Sequence, residues 1–119
     1  MKNPNWLADL FEAIDKKDSN AFESFLSRNC VFRFGNEPPV EGAQGAKAFV
    51  EWFFESIDSL SHDILEAWDT PAGKVCHGFV SYTRLNGSTL TVPFCNVLKH
   101  DGVGITDYLI FADTSQLYR

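Results

Sequence analysis

The sequence predicts an α+β domain, with three helices at the front and then a curved antiparallel sheet wrapped around an apolar pocket. Three observations predict it. Apolar residues recur at helical spacing through the first half of the chain. From His62 onward the pattern changes to long β-prone segments. Two of the joints between those segments are Asn86-Gly87 and Asp101-Gly102, hairpin signals because the tight turns that match strand twist need φ > 0. Helices first and strands later argue against a parallel α/β fold.

Asn3-Pro4 reads as a helix start, a capping side chain followed by Pro at the first helical position. Leu7, Leu10, Phe11 and Ile14 then form one apolar stripe. Lys16-Lys17 suit the C-terminal turn, where the helix dipole favours cations. Asp18 or Ser19 caps a shorter second helix carrying Phe22, Phe25 and Leu26. Cys30–Phe34 is a short strand, ended by Gly35-Asn36-Glu37-Pro38-Pro39. Val40-Glu41-Gly42 leads into a third helix with Ala46, Phe49, Val50, Phe53 and Ile57 inward. Trp52 and Phe54 widen its apolar face, so more than one side is expected to be covered. Four strands follow, over His62–Asp69, Lys74–Leu85, Thr89–Lys99 and Gly104–Ala112. Hairpin joints make neighbours antiparallel, and long strands twist and curl.

The chain has 119 residues, and the expectation is one domain over 1–119. Its net charge is −6 and its ten basic residues are scattered, which disfavours a phosphate-backbone partner or an anionic membrane surface. No apolar run approaches the roughly 18–20 residues of a membrane helix. No signal peptide is visible, and the expected location is cytoplasmic. Cys30, Cys76 and Cys95 are odd in number and widely spaced, and read as reduced, buried thiols. Three histidines without a metal-binding spacing give no metal expectation, and no cofactor fingerprint is present.

The order of elements, with the segments Gly35–Gly42, Ser59–Asp63, Tyr82–Gly87 and Gly104–Asp113, resembles the nuclear transport factor 2-like superfamily and within it the SnoaL-like, polyketide cyclase-like group. The resemblance implies a cone-shaped curved sheet around the three helices, with an internal pocket. It also implies a homodimer. Relatives include isomerases, cyclases, epoxide hydrolases, dehydratases and non-catalytic binders, so the resemblance marks no single activity. Ketosteroid isomerase uses an aspartate base with a tyrosine and a protonated aspartic acid. The matching positions here read Leu10 for the tyrosine, Arg33 for the base, and Cys95 or Asn96 for the second acid. An arginine cannot serve as base, so that mechanism is disfavoured. The acidic residue that SnoaL-like cyclases carry on the last strand reads here as Ile110.

Several residues remain candidates. Arg33 alternates with Phe32 and Phe34. Facing the pocket, it would clamp an anionic ligand such as a carboxylate; otherwise it forms an internal ion pair or lies in solvent. Strand alternation puts Thr106, Tyr108, Ile110 and Ala112 on one face, toward the pocket, and Asp107 on the other. A one-residue bulge would reverse that, which keeps Asp107 as a reserve catalytic candidate. Asn96 is unusual inside an apolar strand, because a buried amide needs partners. With Tyr108 it is a candidate ligand-binding residue. His62 reads either as a pocket acid/base or as a junction histidine bonded to backbone. Ser81 and Thr83 are expected on the concave face, Tyr82 and Arg84 outside.

Two functional readings follow. One is a module that binds a small hydrophobic or anionic organic molecule, with Arg33, Asn96 and Tyr108 in the pocket. The other is an isomerase, cyclase, dehydratase or hydrolase on a small hydrophobic substrate, with His62 or Asp107 handling protons. A cavity of several hundred Å³ with converging polar groups would favour ligand binding, whereas a pocket filled by Phe side chains would argue against it. Leu109 and Phe111 on the outer sheet face need cover, which predicts a homodimer packed sheet to sheet.

Overall fold

The computed structural model describes residues 4–118. Helix α1 spans Trp6–Asp15 and buries Leu7, Leu10, Phe11 and Ile14, the predicted stripe, together with Trp6 and Ala13. It starts later than Asn3-Pro4 suggested. Asn5 occupies the N-cap without a side-chain capping bond, Pro4 lies in a turn, and Asn3 is outside the described residues. Lys16 is the C-cap, and Lys17 turns the chain with a positive φ of 56°. Its ammonium donates to the carbonyl of Ile57 at 2.8 Å, pinning this turn to the end of the third helix. Asp18 caps α2 (Ser19–Ser24), accepting from the amide of Ala21 at 3.0 Å. Phe25 and Leu26 lie beyond that helix, because strand β1 (Leu26–Phe34) begins at once.

Strand β2 (Val40–Glu41) and helix α3 (Ala43–Glu55) follow. Ala46, Val50, Phe53 and Phe54 of α3 are buried, but Trp52 is exposed. The apolar face is therefore narrower than its composition implied. The four long strands fall at β3 (Ser59–Thr70), β4 (Gly73–Thr83), β5 (Thr89–His100) and β6 (Ile105–Ala112). Gly87 and Gly102 both take positive φ at their turns, as the Asn-Gly and Asp-Gly pairs require.

The six strands form one sheet in the order β2-β1-β6-β5-β4-β3. The expected antiparallel meander holds from β3 to β6. One pairing departs from it: β1 runs parallel to β6, with Phe32 opposite Tyr108 and Phe34 opposite Ile110, so the sheet is mixed. This pairing joins the first strand to the last. It closes the concave face over the helices.

The core fills the space between helices and sheet. Leu10, Phe22, Phe32, Ile57, Leu98, Ile105 and Tyr108 are almost completely enclosed. Burying such a side chain contributes about 1.5–3 kcal/mol relative to leaving it in water. Beyond β6 the chain returns across α3. Leu117 is buried, and the Tyr118 hydroxyl lies 2.7 Å from Ser56 Oγ. Arg84 holds this segment by donating to the carbonyls of Leu117 at 3.0 Å and Gln116 at 2.9 Å. No helix among the described residues is long and apolar enough to cross a membrane.

Candidate functional site

The concave face encloses a cavity of about 40 Å³, measured as space for water centres. Seven phenylalanines line it: Phe22, Phe32, Phe34, Phe49, Phe53, Phe54 and Phe94. A few polar groups stand among them, on His62, Asn96, Tyr82 and Tyr108. Phe34, Phe49 and Phe53 also line a second space of about 280 Å³, a vestibule between α3 and the segment after β6. Those three rings therefore separate the inner cavity from the outer one.

Asn96 lies in the middle of β5, opposite Cys76 on β4 and Ile110 on β6. It is only 2% exposed, and its Oδ1 has no hydrogen-bond partner among the described residues. Leaving a buried polar atom unpaired costs about 1–3 kcal/mol, so the position asks for an explanation. Tyr108 is buried two residues from Ile110 on the neighbouring strand. Burial pushes its hydroxyl far above the ordinary tyrosine range, with smaller contributions from Cys76, Asp15 and Tyr82. It stays protonated and can donate. Burial likewise raises Tyr82, with a smaller contribution from Tyr118.

His62, on β3, meets Asp15 at the end of α1. Its Nδ1 is 2.6 Å from Asp15 Oδ1, and its backbone amide donates to Asp15 Oδ2 at 3.0 Å. The rings of Phe11 and Phe94 pack on the imidazole at 4.6 and 5.2 Å between centroids, fixing its plane. An ionised carboxylate can only accept, so Nδ1 is the donor in this contact. The site thus holds an oriented imidazole, a protonated phenol and an unpartnered amide oxygen within apolar walls.

Of the residues singled out from sequence, the structure brings His62, Asn96 and Tyr108 to one cavity. Arg33 is not among them. Its neighbours Phe32 and Phe34 both line the cavity, so strand alternation turns Arg33 outward, where it is exposed. The anion clamp, and with it the anionic ligand it implied, has no support from this position. Asp107 also lies off the cavity, opposite Val31 and Lys99, and accepts from Thr106 Oγ1 at 3.2 Å. The irregularities of β6 fall before Asp107, so the register that turns Tyr108 inward stands. On β4 the expected faces are reversed: Val80 and Tyr82 line the cavity, while Ser81 bonds Thr91 Oγ1 at 2.8 Å. Asp15 was missed. Its one sequence signal is an acidic residue in the last turn of a helix, where the dipole disfavours a carboxylate. Among the described residues, no cluster of three or more His, Cys, Asp or Glu side chains could hold a metal.

A family model described as a SnoaL-like domain matches residues 7–108. The chain belongs to the SnoaL-like domain family. Solved structures agree with this SnoaL-like assignment at the level of fold. An NTF2-like protein of unknown function from Burkholderia pseudomallei K96243 superposes with a TM-score of 0.84 at 16% identity, covering 93% of this chain and 90% of that one. TerC, co-crystallised with polyporic acid, gives 0.82 at 17% identity over 98% and 96% of the two chains. A protein with a ketosteroid isomerase-like fold from Catenulispora acidiphila DSM 44928, in complex with trimethylamine, gives 0.83 at 12% identity over 92% and 86%. No curated protein matches this SnoaL-like chain in sequence.

Proposed function

We propose that this SnoaL-like domain binds a small, mainly apolar molecule carrying a hydrogen-bond donor, with Asn96, Tyr108 and His62 as its polar contacts. One observation carries the reading: Asn96 Oδ1 is buried in the cavity wall without a partner among the described residues. A residue kept only for packing would be apolar, since an unpaired amide oxygen weakens the fold. A ligand hydroxyl or amine would satisfy it. The cavity is well below the several hundred Å³ typical of ligand sites. Seven Phe side chains fill most of the space, the outcome that counts against ligand binding, and a benzene ring needs a cavity of about 150 Å³, so a ligand reaches Asn96 only by displacing Phe34, Phe49 or Phe53 from the vestibule side. Two structural neighbours were crystallised with small organic molecules, which supports the class and not the identity.

Phenol and toluene provide the test, because they share a shape and differ in one donor. Wild type should bind phenol about 3–10 times more tightly than toluene, the net worth of one hydrogen bond. Asn96→Leu should bind the two alike. Equal binding by wild type would overturn the reading.

We also propose that the outer face of the sheet joins two copies of the chain. Glu66, His77, Cys95 and Phe111 lie in cross-strand register there, beside the row Trp68, Val75, Val97 and Leu109. Trp68 stacks on His77 at 5.5 Å and stays 48% exposed, and Phe79 and Phe111 are exposed as well. A second copy would cover this apolar surface. A monomer in sedimentation at micromolar concentration would overturn the proposal.

A further inference from the structure

The vestibule between α3 and the segment after β6 has a chemistry of its own. At about 280 Å³ it is close to the roughly 300 Å³ at which ligand sites begin. Its walls combine two kinds of group. Phe49, Trp52 and Tyr118 are a run of neighbouring rings, with 5.7 Å between the centroids of Phe49 and Trp52 and 6.3 Å between those of Trp52 and Tyr118. Among the described residues, the charged side chains on the wall are Glu37 and Asp113, both acidic.

Packing does not account for the rings. Trp52 is 57% exposed and Tyr118 is 58% exposed, so both forgo much of the burial that stabilises an aromatic side chain. Yet both are held in place. Trp52 stands on α3 against Phe49, and the Tyr118 hydroxyl is 2.7 Å from Ser56 Oγ, just after the backbone that Arg84 pins. The turn that carries Glu37 is fixed as well, because the Glu37 amide donates to the carbonyl of Phe34 at 3.0 Å. Glu37 forms no salt bridge among the described residues. Asp113 Oδ1 accepts from the amide of Ser115 at 2.9 Å, which orients that carboxylate.

We propose that the vestibule binds a small organic cation, a tertiary or quaternary methylated ammonium ion, at a site separate from the inner cavity and independent of the reading of Asn96. The face of an aromatic ring is negative and attracts a cation, most strongly one that has shed its water. A methylated ammonium spreads its charge over its methyl groups and carries one N–H donor or none. It therefore suits walls that offer ring faces. A primary ammonium or a metal ion would give up water for which the rings supply no lone pair. The carboxylates of Glu37 and Asp113 add attraction and repel anions, and the net charge of −6 acts in the same sense. A neutral molecule of the same shape gains the apolar contact alone.

Choline and 3,3-dimethylbutan-1-ol supply the test, because carbon replaces nitrogen and only the charge differs. Titrations are followed by proton NMR on the indole N–H signals of Trp6, Trp52 and Trp68, the Trp52 signal being the one that Trp52→Leu removes. Choline should move the Trp52 signal and bind about tenfold more tightly than the alcohol, as cation–π contacts to two or three rings supply. Trp52→Leu keeps an apolar side chain at an exposed position. It should weaken choline about fivefold and leave the alcohol within about twofold. Glu37→Gln should weaken choline about two- to threefold at low salt and match wild type near 0.5 M salt, where the charge is screened. Asn96→Leu should bind choline as wild type does. If choline does not bind, or binds no better than the alcohol, there is no cation site. If choline moves Trp6 or Trp68 instead of Trp52, or if Trp52→Leu and Glu37→Gln both bind it unchanged, the cation sits elsewhere and the proposal falls. Loss of choline binding in Asn96→Leu would overturn the separation from the inner cavity.

Discussion

Asp15 and His62 are 47 residues apart in sequence, yet one carboxylate holds both the ring and the backbone amide of the histidine. Two charge-assisted bonds from one side chain fix where α1 ends against where β3 begins. Asp15→Ala would leave a largely buried amide and ring nitrogen without a partner. The expected cost is about 1–3 kcal/mol of unfolding free energy, read from urea denaturation. A loss within 0.5 kcal/mol, roughly the range of an unremarkable surface change, would show that solvent replaces the carboxylate readily.

Asn96 predicts the opposite sign. Leucine has the same number and branching of side-chain heavy atoms as asparagine and carries no atom needing a partner. Asn96→Leu should leave stability unchanged or raise it by about 1–2 kcal/mol, since it removes an unpaired buried oxygen. The same variant should lose the preference for phenol over toluene. A clear fall in melting temperature would mean that the amide is already serving the fold.

Arg33 offers a control. Its side chain is exposed on the strand face opposite Phe32 and Phe34. Arg33→Met should change stability by less than about 0.5 kcal/mol and leave phenol binding as in wild type. An anionic probe such as benzoate should bind both proteins equally. Loss of benzoate binding on substitution would return Arg33 to the site.

The thiols and phenols make a pH prediction. Burial pushes the Cys76 thiol up to about 11, helped by Cys95 and opposed by a backbone bond from Asn96. Burial raises Cys30 too, with a smaller contribution from Asp107. Tyr82 and Tyr108 shift in the same direction. Each of these groups is neutral when protonated and gives up its proton more easily in the unfolded chain. Their contribution to stability is fully present below the unfolded values, near 8.5 for Cys and 10 for Tyr, and is lost as pH rises through the folded ones. Urea midpoints should therefore fall from pH 9 to pH 11. At pH 8 an aromatic disulfide reagent should reach only the half-buried Cys95 quickly, with Cys30 and Cys76 silent until unfolding. If the outer sheet face pairs two copies, that single fast reaction should slow as protein concentration rises.

Much of this fold is legible locally. The helical stripe of α1, the Asp18 cap and the Asn-Gly and Asp-Gly turns are written within a few residues of where they act. Alternation along β6 turned Tyr108 and Ile110 inward and Asp107 outward from the sequence alone. The same rule places Arg33: two inward phenylalanines leave no inward position between them. On β4 alternation is clear but its phase is not, and a one-residue change of phase exchanges every side chain between faces, which is why Tyr82 lies inward and Ser81 outward. The parallel partner of β1 and the role of Asp15 were out of reach for another reason. Both depend on contacts between distant segments, which no local periodicity records.

The pairing of β1 with β6 bears on when the site can come into being. Phe32 and Tyr108 face each other across that parallel pair, and both line the cavity. On a ribosome the helices and β1 emerge early. They must wait, with an apolar strand edge uncovered, until residues beyond 105 have been made. Such distant pairing is slow to form because a long loop must close first. Early in its life the chain is therefore a set of helices beside a strand that has β2 on one edge and nothing on the other, open to aggregation or chaperone capture. The cavity appears late and at once, when its final strand slides into place.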